Sequence, residues 1–98
     1  MPKINEEVES QLALDKPSMY KVILHNDDYT TMEFVVMILT DIFHKRIEES
    51  EKIMWDIHKK GKGICGVYTH EIAQTKVEQV LDLAKDNEFP LLATMEEE

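Results

Sequence analysis

Within 25 residues the apolar pattern of this chain changes period, and that change constrains the fold more than anything else in the sequence. Met19 to His25 (MYKVILH) alternates, with Tyr20, Val22 and Leu24 on one side and Lys21 and His25 on the other. Alternation of this kind predicts a strand with one face buried. From Met32 onward the apolar residues recur at three and four: Met32, Val35, Val36, Leu39, Ile42 and Phe43. That spacing predicts a helix with one stripe facing a core as far as Phe43. Between the two patterns stand Asn26, Asp27 and Asp28, turn formers because their short side chains bond nearby backbone. Thr30 and Glu33 then have the spacing of a capping box, so the helix is expected to start there. Three acceptor-rich side chains in a row between two core-forming segments raise the question whether this turn does more than connect them.

The remaining segments follow the same logic. Ile47, Ile53, Met54 and Ile57 form a second helical stripe, ending at Lys59-Lys60-Gly61, where cations suit a helix C-terminus and glycine its stop. Ile64 to Tyr68 reads as a short strand, and Thr69 caps a third helix through Ile72, Ala73, Val77, Val80, Leu81 and Ala84 to Asn87. Pro90 opens a last extended run, Leu91 to Met95. The order β-α-α-β-α-β predicts a single α+β domain, residues 19–98, with a three-stranded, mostly antiparallel sheet packed on three helices. Residues 1–18 have no sustained apolar period and are expected to form a flexible extension. Glu96-Glu97-Glu98 is expected to be a solvated end.

A chain of 98 residues suits one core. Its formal net charge of -9 repels a phosphate backbone, so no nucleic-acid partner is expected. Cys65 is the only cysteine, which rules out an internal disulfide and suits the reducing cytoplasm. The longest apolar run, Phe34 to Leu39, is far short of a membrane span, and the first residues lack a signal peptide's apolar centre. No H-E-x-x-H, C-x-x-C, glycine-rich phosphate loop or G-x-S-x-G occurs, so neither catalysis, a cofactor nor a metal is expected. Asp27 or Asp28 with His58 could meet around a metal only through the fold, since their spacing does not favour it. By themselves, Asn26-Asp27-Asp28 read as a connection, His58 as a helix-end cation, and Met32 and Met54 as core filler.

Three blocks change that reading: PSMYKVILHNDDYTTMEFV, IHKKGKGICGVYTHEIAQTKVEQV and NEFPLLATME. In order and spacing they resemble ClpS, the family of bacterial adaptors that hand N-degron proteins to the Clp protease. The resemblance runs from Pro17 to the C-terminus and implies a ClpS-like fold and a monomeric, non-catalytic binding protein for substrates that begin with Leu, Phe, Tyr or Trp. It implies that Asn26, Asp28 and His58 grip the substrate's free α-amino group, with Asp27 close to the incoming backbone. Leu24, Thr30, Met32, Val35, Met54, Ile57 and Leu91 are implied to line an apolar pocket for the first side chain. Glu71 and Lys76 match positions used to dock on the N-terminal domain of a ClpA-type or ClpC-type AAA+ unfoldase. His25, Thr31 and Ile57 depart from the family's usual apolar residue, proline and valine; none removes an acceptor. The alternative is a protein-interaction domain of the same fold without terminus recognition.

Overall fold

The computed structural model describes residues 17–98. The expected N-terminal extension, Met1 to Ser18, therefore lies outside the described residues apart from its last two. The elements are β1 (Met19–His25), α1 (Met32–Asp41), α2 (Ile47–Lys60), β2 (Lys62–Thr69), α3 (His70–Asp86) and β3 (Leu92–Glu97). β1 is the central strand of a three-stranded sheet of order β2-β1-β3, antiparallel on both sides. The central place goes to the strand with the most continuous burial: Val22, Ile23 and Leu24 are all buried.

One core collects side chains from the sheet and all three helices. Val22, Leu24, Cys65 and Ala93 of the sheet meet Phe34, Val35, Ile38 and Leu39 of α1, Met54 and Ile57 of α2, and Ala73, Val80 and Ala84 of α3. The β1–β2 register passes from Val22↔Gly66 to Ile23↔Ile64, so Cys65 is an extra residue on β2. This bulge places Cys65 in the core while the strands on either side of it stay paired. Burial pushes the Cys65 thiol up to about 12, although a backbone hydrogen bond with Leu24 and the charge of Lys45 pull the other way. The thiol is therefore protonated and unreactive at neutral pH.

Several boundaries differ from the sequence expectation. The Thr30–Glu33 capping box does not form. Thr31 is the N-cap of α1 and accepts from the Phe34 N–H at 3.2 Å, because the Thr30 hydroxyl is given to Asp27 instead. α1 ends at Asp41, before Phe43: a Lys45 N–H to Leu39 carbonyl bond of 3.0 Å closes the turn with His44 in left-handed conformation, φ 56°. Phe43 is nevertheless buried, delivered by that turn and not by the helix. In α2 the inner stripe is Ser50, Met54 and Ile57, while Ile47 is exposed; Gly61 does end the helix, at φ 91°. In α3 the buried residues are Ala73, Val80 and Ala84, and Ile72 and Leu81 are exposed. Both later strands are longer than expected or displaced, Lys62–Thr69 and Leu92–Glu97.

Candidate functional site

The residue that follows β1 and the glycine that caps α2 are joined by a backbone bond. The Asn26 N–H donates to the Gly61 carbonyl at 2.8 Å. The left-handed Gly61, which also donates its N–H to the Ile57 carbonyl at 2.9 Å, is what lets the chain leave α2 toward that contact. Asn26 and the α2 residue His58 consequently stand on the rim of the same groove.

Asp27 organises the turn that follows. One carboxylate oxygen, Oδ1, accepts from the Tyr29 N–H at 2.8 Å and the Thr30 N–H at 2.7 Å; the other, Oδ2, accepts from the Thr30 hydroxyl at 2.7 Å. Burial alone would raise the Asp27 pKa, but the bonds from the Thr30 N–H, the Thr30 hydroxyl and the Tyr29 N–H outweigh it and hold the carboxyl below its usual value. The flanking Asn26 and Asp28 are exposed. Asp27 is the only one of these three whose side chain is hydrogen-bonded within the described residues.

The groove has a volume of about 420 Å³. Its polar rim is Asn26, Asp27, Asp28 and His58, and its apolar walls are Thr30, Met32, Val35, Met54 and Ile57. Depth sorts the two sets: Val35, Met54 and Ile57 are at most 7% exposed, whereas Met32 is 40% exposed and Asn26, Asp28 and His58 are open to solvent. The His58 ring meets the edge of Trp55 with centroids 5.8 Å apart, and the Lys59 ammonium lies 5.9 Å from the Trp55 ring. A cavity with an apolar floor and acceptors at its mouth suits a small cation joined to an apolar side chain. Among the described residues no three His, Cys, Asp or Glu side chains gather in a way that could hold a metal ion.

Thus nine of the eleven residues implied for the amine grip and pocket stand together around this groove, and two do not. Leu24 and Leu91 are buried, at 0% and 3%, in the same core cluster as Val35, Met54 and Ile57, and are not among the lining residues. Two lining residues were missed, Tyr29 and Thr31. Their only sequence signal is membership of the short connection that also carries the acceptors. Glu71 and Lys76 are on α3 and do not line the groove. Glu71 is exposed, while the Lys76 ammonium donates to the Ile42 carbonyl at the end of α1 at 2.6 Å and lies 5.9 Å from the Tyr68 ring.

Comparison with known proteins gives a consistent result. The family described as "ATP-dependent Clp protease adaptor protein ClpS" matches residues 15–94. An ATP-dependent Clp protease adapter protein ClpS of Desulforapulum autotrophicum is 54% identical over 99 aligned positions, covering 99% of this chain and 95% of the relative. That of Syntrophus aciditrophicus is 57% identical over 82 residues, 84% of this chain and 77% of the relative. Among solved structures, ClpS2 of Agrobacterium tumefaciens bound to L-phenylalaninamide is similar with a TM-score of 0.82 and 38% identity, over 85% of this chain and all of that one.

Proposed function

The chain belongs to the ClpS family of ATP-dependent Clp protease adaptors, and from that premise we propose that it captures the free N-terminus of N-degron proteins beginning with Leu, Phe, Tyr or Trp. The observation that carries the reading is the pairing, in one groove, of unengaged rim acceptors with a buried apolar floor. L-phenylalaninamide, held by the similar Agrobacterium protein, has the two features this groove would recognise, a free α-amino group and an apolar side chain.

An ammonium has three N–H donors, and Asn26, Asp28 and His58 are three groups at the rim to receive them. The first side chain would enter between Met32, Val35, Met54 and Ile57. Burying a leucine or phenylalanine is worth about 1.5–3 kcal/mol and each charge-assisted hydrogen bond about 1.5–3 kcal/mol. Neither contribution alone gives useful affinity. Together they reach a gross of about 6–12 kcal/mol, and after ordering costs roughly micromolar binding follows. The net charge of -9 draws a cationic chain end toward the protein at long range. An acetylated or internal residue brings no ammonium, leaving the acceptors desolvated and unpaired, which discriminates more sharply than pocket shape does.

The same groove is poorly equipped for catalysis. Its one hydroxyl–carboxylate pair, Thr30 and Asp27, uses a carboxylate held below its usual pKa, which makes it a weak base. Capture, followed by transfer to the N-terminal domain of a ClpA-type or ClpC-type unfoldase, is the activity we assign. Exposed Glu71 and the α3 surface around Lys76 are the docking face, and Met1 to Ser18 assist handover. Titration with a Leu-starting peptide and its acetylated twin tests the reading. We expect binding of the free amine and at least tenfold weaker binding of the twin; equal affinity would leave only the protein-interaction domain without terminus recognition.

A further inference from the structure

The rim divides into idle groups and one already engaged by three hydrogen bonds, and this division assigns a distinct role to Asp27. We propose that Asp27 is a positioning residue which builds the turn and does not itself hold the ammonium; the inference deepens the amine-binding reading above and rests on it. Its carboxylate has about four acceptor sites. Three are occupied by Tyr29 N–H, Thr30 N–H and the Thr30 hydroxyl, all within 2.8 Å. Because the Tyr29 and Thr30 amides both point at Oδ1, the backbone from residue 27 to 30 is curled around this one side chain. The curl leaves Asn26 and Asp28 exposed on either side of it. The Thr30 hydroxyl proton is committed to Asp27, so Thr30 has only its methyl and its oxygen lone pairs left to offer the groove.

A carboxylate is not needed for this task; an acceptor of the right shape is. Asparagine at 27 keeps an Oδ1 for the two backbone amides, and its amide group can donate to a Thr30 hydroxyl that rotates to accept. At position 28 the group faces a cation, and loss of charge should not be forgiven.

The test is a comparison of Asp27→Ala, Asp27→Asn, Asp28→Ala and Asp28→Asn, each titrated with a Leu-starting peptide and its acetylated twin. Amide proton shifts of Tyr29 and Thr30 are recorded alongside. We expect Asp27→Ala to weaken binding about tenfold or more and to move those two amide shifts, and Asp27→Asn to recover most of the loss. Asp28→Asn should bind no better than Asp28→Ala. If Asp27→Asn is as weak as Asp27→Ala in a folded protein, the charge itself is required and the positioning role is overturned. Wild-type binding by Asp27→Ala overturns it as well. Should Asp27→Ala fail to fold, Thr30→Val removes the hydroxyl link, together with the lone pairs Thr30 offers the groove: binding weaker by about threefold with moved amide shifts at residues 29 and 30 supports the proposal, and unchanged shifts or unchanged binding defeats it. Equal binding of the two peptides by the wild type would instead sink the amine reading, and Asp27's assignment with it.

Discussion

Two hollows of similar size are both lined in part by α2. The first, of about 420 Å³, is the groove described above; the second, of about 500 Å³, opens on the outer face of the sheet and is lined by Lys21, Ile23, Asp56, Lys60, Lys62, Gly63, Ile64 and Glu96. Size does not separate them, but the arrangement of chemistry does. The first is backed by the main core, and its rim is dominated by acceptors. In the second, cations and anions alternate and partly cancel, as in the Lys60–Asp56 pair at 3.7 Å, and the floor is essentially Ile23 beside half-exposed Ile64. A recognition site thus differs from an ordinary surface depression by unsatisfied groups of one kind held over a dry floor.

The largest expected contrast lies in the packing that supports each hollow. Leu24→Ala removes a fully buried side chain from the core cluster that includes the first groove's Val35, Met54 and Ile57, and should destabilise the protein by about 2–5 kcal/mol in urea unfolding. Ile64→Ala, on the outer face, should cost less than about 1 kcal/mol. Comparable losses would mean that the outer face is better packed than its exposure indicates.

Next comes binding. Asp28→Ala should weaken a Leu-starting peptide by about 1.5–3 kcal/mol in calorimetric titration, while Lys62→Ala in the second hollow should stay within about 0.5 kcal/mol of wild type. If the lysine variant lost as much as the aspartate variant, the two hollows would not be functionally distinct.

Gly63 offers a smaller and more pointed test, since it lines the second hollow while touching a wall of the first. A Cβ on Gly63 would come within 2.8 Å of Ile57 Cγ1, and Ile57 is only 3% exposed, with little room to retreat. Gly63→Ala should therefore push Ile57 toward the groove, at about 1 kcal/mol of stability. In competition binding, Trp-starting peptides should suffer more than Leu-starting ones. An unchanged ranking would show that the push is absorbed elsewhere, for example by Ile53.

The smallest effect is a deliberate absence of one. The Asp27 carboxyl titrates below its ordinary value, so its contribution to the turn is fully present above the usual carboxylate pKa of about 3.9 and is lost only as pH falls through the lowered value. Tyr29 and Thr30 amide shifts should stay flat from about pH 7 to pH 4 and move below that. Movement at higher pH would mean that the turn is held by something other than this carboxylate.

Much of this architecture was legible because it rests on local patterns. Alternation along Tyr20, Val22 and Leu24 and the Gly61 stop each express one residue's conformational preference, and the structure keeps them. What the pattern missed was decided by contacts between neighbours competing for one partner or by segments far apart in the chain. Thr30 and Thr31 are equally good caps in isolation, and only Asp27's capture of the Thr30 hydroxyl selects Thr31. Leu24 and Leu91 are as apolar as Met54; whether such a side chain lines a groove or stays in the core is decided by how the segments pack, which periodicity does not encode. The bond from Lys76 to the Ile42 carbonyl spans 34 positions and supplies a cation to the last turn of α1, which has none of its own.

The Asn26 N–H to Gly61 carbonyl bond has a consequence for how this protein tolerates sequence drift. Both partners are main-chain atoms, so no side-chain replacement except proline at 26 removes either atom of the link between the acceptor turn and the helix end that carries His58. Identity at the rim can therefore change while spacing is preserved, and a variant that has lost its amine grip would still hold its two halves in register, ready to regain the grip by a single substitution. The weak point is Gly61 itself: at φ 91° with open space around it, a replacement there meets no clash but strains the backbone that aims the carbonyl. Fidelity of the site is thus entrusted to a residue with no side chain at all.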